Sequence, residues 1–199
     1  MVHHKLFPTN VFLYDNLVSE DYLYKIKNSI LEDNSKSDTS SNWQSSYELH
    51  TTVEFRAFAN LVLSKNERIL KSLGYHFDRL QITDMWANVL KPGQMHEVHN
   101  HSNNFYSGVF YVSAEKTSGI NFMDPRPQAT VFLPKKDNNL DNTNIISYES
   151  QSNRMLLFPS WLSHWVPINK SEHDRISISW NIMIRGELGE HEDFQSATF

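Results

Sequence analysis

Apolar residues along this chain recur with two different periods, and the change falls near Gly74. Before it, "SEDYLYKIKNSILEDN" places Tyr22, Leu23, Ile26, Ile30 and Leu31 at helical spacing behind Ser19, a residue suited to an N-cap. A second helix is expected within "VEFRAFANLVLSKNERILKSLGY", ending at Gly74. "VFLYDNLV" (residues 11–18) reads as a short strand entering a turn, and the Ser-rich stretch 34–46 as a surface loop. After Gly74 the runs become short, β-branched or aromatic: "RLQITDMWANVLKPG", "SGVFYVSAE", "SGINFMD", "ATVFLP", "NIISYES", "RMLLFPSWLSHWVPIN" and "RISISWNIMIRG". Gly, Pro, Asn or Asp separates them at intervals suited to an all-β sandwich or barrel, with "KKDNNLDNTN" as a polar hairpin loop. No internal repeat interrupts this order. The expectation is a single domain over 1–199: a helical support region (1–79), a β core (80–185) and a C-terminal tail (186–199).

Composition narrows the function classes. Of 199 residues 39% are apolar, with five Trp and twelve Phe, enough for a sizeable core. The formal net charge of −5 argues against a nucleic-acid binder, whose footprint is basic. There is no cysteine, so disulfides and thiolate metal sites are excluded, and any metal must be held by His and carboxylate. No apolar run approaches a membrane span, and "MVHHKLFPTNVFLY" lacks a signal peptide's apolar stretch. A cytoplasmic protein, monomer or homodimer, with no membrane partner is expected.

The chemistry concentrates in "GQMHEVHNHSNNFYSGVFYV" (residues 93–112), where His96, His99 and His101 fall within six positions. His99 and His101 are two apart and share a face if the segment is a strand. His164, in "LLFPSWLSHWVPIN", follows an apolar strand and a Pro-containing turn. An early and a late strand converge when a barrel folds back on itself, which suits a three-ligand site with open positions. In a chain with ten histidines such a pair is also compatible with surface or core positions. His3, His4, His50 and His173 have that ordinary reading, and His96 is at most an outer-shell partner.

Arg175 lies eleven residues after His164, at the head of the last strand-like run "RISISWNI". The order "H-x-H … SGVFYV … SGINF … LLFPSWLSHWV … RISISWNI" resembles the Fe(II)- and 2-oxoglutarate-dependent oxygenases, and within them a group related to prolyl hydroxylases. The resemblance spans roughly residues 86–184 and implies a double-stranded β-helix, a jelly-roll or cupin-like barrel. It implies Fe(II), 2-oxoglutarate and O2 as cofactor and co-substrates, with hydroxylation of a small molecule or peptide. His99 and His164 would be metal ligands, and Arg175 would pair with the far carboxylate of 2-oxoglutarate, a bidentate task suited to guanidinium. Tyr111 would add a hydroxyl contact, with Asn88 and Asn181 as further polar contacts. Asn103, Asp124 and Trp165 are further pocket candidates, and Trp161 and Phe105 candidate walls.

One departure from the family pattern stands out. The first motif is usually His-x-Asp or His-x-Glu, but here it is His99-Asn100-His101. Either His101 is the third ligand, or water completes the site, or Asp124 enters from a neighbouring strand. The first needs no unusual chain path and is preferred. The same residues also resemble a cupin, with Gly93 before the His pair and "PSWLSH" as a second motif, although the expected glutamate is missing. A cupin-like metalloprotein indifferent to 2-oxoglutarate, or a metal-free binding barrel, are the alternatives. Arg175 favours the oxygenase.

Overall fold

The structure is a computed structural model that describes every residue except 3, 5, 38–41, 127, 129–136 and 190–195. The run "ATVFLP" and the start of the polar hairpin loop lie outside the described residues.

Two helices form where the helical period is read. Helix α1 (Glu20–Ser35) starts at Ser19, whose side chain accepts from the Tyr22 backbone N–H, and buries Leu23, Ile26 and Ile30. Helix α2 (Arg56–Ser72) ends in a Schellman turn. Gly74 takes φ +82°, the Gly74 N–H reaches the Lys71 carbonyl, and the Tyr75 N–H reaches the Leu70 carbonyl.

Among the described residues twelve strands form, most of them in the period-two runs. They are β1 (Phe12–Tyr14), β2 (Trp43–Gln44), β3 (Arg79–Leu90), β4 (His96–His99), β5 (Tyr106–Ser113), β6 (Ile120–Met123), β7 (Ile145–Tyr148), β8 (Arg154–Pro159), β9 (His164–Val166), β10 (Arg175–Arg185), β11 (Glu187–Leu188) and β12 (Ala197–Thr198). A six-stranded sheet runs β1-β8-β5-β10-β3-β2, and a four-stranded sheet runs β4-β9-β6-β7, all antiparallel. Together they make the double-stranded β-helix. The two strands of the tail, β11 and β12, pair with each other.

The alternation along β10 explains the layering. Ile176, Ile178, Trp180 and Ile182 enter the core between the six-stranded sheet and the helices, where Phe58 of α2 meets Phe110 at 5.0 Å and Trp180 at 5.8 Å. Each such buried side chain contributes about 1.5–3 kcal/mol. The intervening Arg175, Ser177 and Ser179 point the other way, into a cavity between the sheets. A second apolar cluster (Val109, Tyr111, Leu156, Phe158, Ile120, Phe122) fills the rest of the space between the sheets.

The stretch 34–46 differs from the expected surface loop. Trp43 is buried and pairs with Val89, and Gln44 pairs with Asn88, so this segment supplies the edge strand of the larger sheet. A two-residue strand inside a Ser-rich stretch carries too little periodicity to be read locally.

Candidate functional site

The site is built where β4 and β9 pair. His96 lies opposite Val166 and His99 opposite His164, so three steps of β4 span two of β9. The surplus residue is a β-bulge. On an ideal strand positions three apart face opposite ways, and the bulge is what brings both His96 and His99 to the cavity. His101 lies beyond the end of β4, with its backbone N–H donating to the Ser160 carbonyl at 2.9 Å. Its orientation therefore follows from this loop anchor, and not from the strand alternation assumed in the sequence reading.

One nitrogen from each of His99, His101 and His164 falls within 4.8 Å of the others, a spacing that could hold a metal ion. Ring centroids are 4.4 Å apart for His99 and His164, 5.2 Å for His99 and His101, and 5.1 Å for His101 and His164. Two of the rings have their tautomer set by the backbone. His99 Nδ1 donates to the Glu97 carbonyl at 2.7 Å, and His164 Nδ1 donates to the Leu162 carbonyl at 2.9 Å. A carbonyl can only accept, so Nδ1 carries the proton and Nε2 is left with its lone pair for a metal. Burial lowers the His164 pKa to about 3 and, with the nearby His99, the His101 pKa to about 4. Both rings are thus neutral at physiological pH, as ligation requires. The donor set, tautomers and protonation fit a divalent first-row metal.

Arg175 shares the cavity, which has a volume of about 740 Å³. It is 2% exposed, and Nε donates to the Ser118 carbonyl at 2.9 Å and a terminal nitrogen to Ser177 Oγ at 3.0 Å. The guanidinium carbon stands 4.9 Å from the Tyr111 ring centroid. Among the described residues no ion pair engages Arg175. A buried guanidinium without a carboxylate is costly and calls for an anion. The Tyr111 hydroxyl is fully buried; burial raises its pKa, the Arg175 guanidinium beside it opposes that rise, and among the described residues its hydrogen has no acceptor. A carboxylate between the two would satisfy both.

The other sequence candidates divide. Asn88 lines the cavity, with its amide spent on Ser179 Oγ and its oxygen accepting from Gln44. Asn181 does not line it. It accepts from Ser107 Oγ at 2.8 Å and reaches Asp84, a structural role beneath the site. Asp124 is held by Arg126 through two side-chain bonds of 2.8 and 3.0 Å and lines a different cavity, and it is not in the group of possible metal ligands. Asn103 is an exposed turn residue with φ +62°. Trp165 alternates away from His164 and Val166, which are both buried and line the cavity. Trp161 is 53% exposed, and Phe105 packs on Tyr75 and Tyr106 in another cluster. Neither walls the cavity. Residues missed by the sequence reading include Gln44, Trp86, Ser177 and Ser179. The serines were readable from the alternation Arg175-Ser177-Ser179 along β10, whereas Gln44 depends on tertiary pairing.

Residues 84–181 match a protein family described as "Putative 2OG-Fe(II) oxygenase". Among curated proteins, none matches the sequence. Several solved structures share the fold. A prolyl-4-hydroxylase from Pseudomonas putida aligns at TM-score 0.65 and 11% identity, over 89% of this chain and 94% of that one. HygX from Streptomyces hygroscopicus, with nickel and 2-oxoglutarate bound, aligns at TM-score 0.65 and 10% identity, over 96% and 91%. The viral collagen prolyl hydroxylase from Paramecium Bursaria Chlorella virus-1, in a 2-oxoglutarate complex, aligns at TM-score 0.57 and 14% identity, over 88% and 96%. Among the described residues no helix is long and apolar enough to cross a membrane.

Proposed function

We propose, from the premise that the barrel of this chain belongs to the Fe(II)/2-oxoglutarate oxygenase superfamily, that the protein is an Fe(II)- and 2-oxoglutarate-dependent hydroxylase. The observation that carries this reading is the three-imidazole cluster in one cavity with a buried Arg175 that has no carboxylate partner among the described residues. His99, His101 and His164 would hold Fe(II), making a neutral three-nitrogen set where the family has two histidines and a carboxylate. Bound there, iron supplies the redox chemistry that consumes O2 and 2-oxoglutarate and hydroxylates a C–H bond.

The chain's own residues do the rest. The carbonyls of Glu97 and Leu162 hold His99 and His164 in the ligating tautomer. Arg175 fixes the distal carboxylate of 2-oxoglutarate by charge and by its donor fork, with the Tyr111 hydroxyl donating beside it. Ser177 and the Ser118 carbonyl hold the guanidinium in place. Val109, Ile120, Phe158 and Val166 line the cavity with apolar surface and limit water. The organic substrate is a small molecule or a peptide side chain, in line with the prolyl hydroxylases that share the fold.

The test is metal analysis of the purified protein with 2-oxoglutarate turnover, read as succinate formed with and without Fe(II). The reading expects one iron per chain and iron-dependent turnover. Bound metal without affinity for 2-oxoglutarate would instead leave the cupin-like reading, in which the buried Arg175 has no task.

A further inference from the structure

A fourth imidazole enters the cavity, and the metal cluster does not use it. His96 lines the same space as Arg175 and the triad, yet no nitrogen of it falls in the group of possible ligands. Its ring stands 6.4 Å from that of His99, farther than any pair within the triad. It reaches the cavity only because of the bulge between His96 and His99. A bulge that re-aims a side chain into a cavity calls for a use of that side chain.

His96 Nε2 is buried and has no hydrogen-bond partner among the described residues. Two more buried polar atoms, the Tyr111 hydroxyl and Ser118 Oγ, have no acceptor among the described residues and lie on residues that touch Arg175. Among the described residues, then, potential donors without an acceptor gather around a cation without a carboxylate. Buried polar groups are satisfied in native proteins, so this cluster calls for an acceptor from a ligand. An anion with several oxygens meets the needs of His96 and Arg175, which line one cavity, and Tyr111 lies on the far side of that guanidinium; a neutral apolar ligand meets neither.

We propose that His96 is a positioning residue for the co-substrate, its Nε2–H donating a hydrogen bond to a dicarboxylate held between Arg175 and the metal-binding histidines. This rests on the oxygenase reading and adds to it a contact made by this chain's own histidine. His96 contributes nothing to metal binding. A charge-assisted hydrogen bond of this kind accounts for roughly a ten- to hundredfold difference in affinity.

The experiment is calorimetric titration of 2-oxoglutarate into anaerobic Mn(II)-loaded protein, with metal content measured on the same samples. His96→Phe keeps a flat ring and loses the donor, and His96→Gln restores an N–H donor. The expected result is wild-type metal stoichiometry in both variants. His96→Phe should bind 2-oxoglutarate ten- to hundredfold more weakly, and His96→Gln should recover most of the loss. Unchanged affinity in His96→Phe overturns the proposal, and loss of metal from it makes His96 a ligand and overturns it equally. A wild-type measurement independent of mutant folding is the ¹⁵N resonance of His96 Nε2, which must shift on adding 2-oxoglutarate to Zn(II)-loaded protein. The arms separate the two levels of argument. If wild type ignores 2-oxoglutarate, the oxygenase reading falls. If wild type binds, Arg175→Met does not, and His96→Phe matches wild type, only the role of His96 falls.

Discussion

Replacing Arg175 with Met should leave the unliganded protein about as stable as wild type and sharply reduce its response to 2-oxoglutarate. Methionine matches the arginine stem in length and removes the charge. The guanidinium makes two hydrogen bonds, to the Ser118 carbonyl and Ser177 Oγ, and stacks 4.9 Å from the Tyr111 ring. Each charged hydrogen bond contributes about 1.5–3 kcal/mol, and a desolvated cation–π contact about 2 kcal/mol. Against this stands a penalty of several kcal/mol for holding a charge at 2% exposure with no carboxylate beside it among the described residues. These terms nearly cancel, so the variant should melt within roughly 2 kcal/mol of wild type, or about 4–8 °C for a chain of this size. The liganded protein behaves differently. At a hundred times Kd, 2-oxoglutarate stabilises wild type by about 2.7 kcal/mol, or roughly 5–10 °C. Truncating one partner of a buried charge pair costs about 2–5 kcal/mol of binding, which is about 30-fold or more. At the same concentration the variant's shift should fall below roughly 3 °C. The assay is differential scanning fluorimetry of metal-loaded protein with and without 2-oxoglutarate. A fall of 15 °C or more in the unliganded melt with the ligand shift intact would show that Arg175 is a structural residue, and the reasoning would be refuted.

Further outcomes follow from the same geometry. His164→Ala should lose the metal, read by elemental analysis, and cost about 2–4 kcal/mol in the melt, because its ring is buried against Phe158 at 4.8 Å and Phe122 at 6.0 Å. Metal retained at full stoichiometry would refute its role as a ligand. Gly108→Ala should destabilise by about 1–3 kcal/mol in urea unfolding, since its Cβ would sit 2.6 Å from Trp180 Cε2 and 2.8 Å from Leu157 Cδ2 in a filled core. Wild-type stability there would mean that Trp180 yields more easily than its packing indicates. Arg154 holds the Asp15 carboxyl below its usual pKa, through a bond of 2.6 Å that ties β1 to β8. The folded pKa is lowered, so the unfolded chain takes up the proton first as pH falls. The stabilisation is present above the usual carboxylate range and is lost as pH drops through the folded value. Asp15 is well exposed and screened, so the difference between wild type and Asp15→Asn should be no more than about 1 kcal/mol at neutral pH and should close in acid. An equal difference at all pH values would point to another cause.

The elements of this fold were legible because they arise from local causes. Helix α1 follows from Ser19 and the spacing of Leu23, Ile26 and Ile30, and α2 stops at Gly74 because a left-handed residue closes its last turn. Strand β10 shows its two faces in sequence, isoleucines and Trp180 on one, Arg175, Ser177 and Ser179 on the other. His99, His164 and Arg175 stood out through their order along the chain and the family resemblance, and the folded chain brings all three to one cavity. What only the tertiary structure decided is register. The bulge in β4 turns His96 inward, an anchor to Ser160 aims His101, and edge pairing carries Gln44 to the cavity. The register of β9 turns Trp165 away, and Asp124 is held by Arg126, two residues along the chain. A shift of one residue in a strand reverses every side chain on it, and no local property of the sequence states where such a shift occurs. The residue types were therefore set along the chain, while their meeting was set by which strand lies beside which, and at what offset.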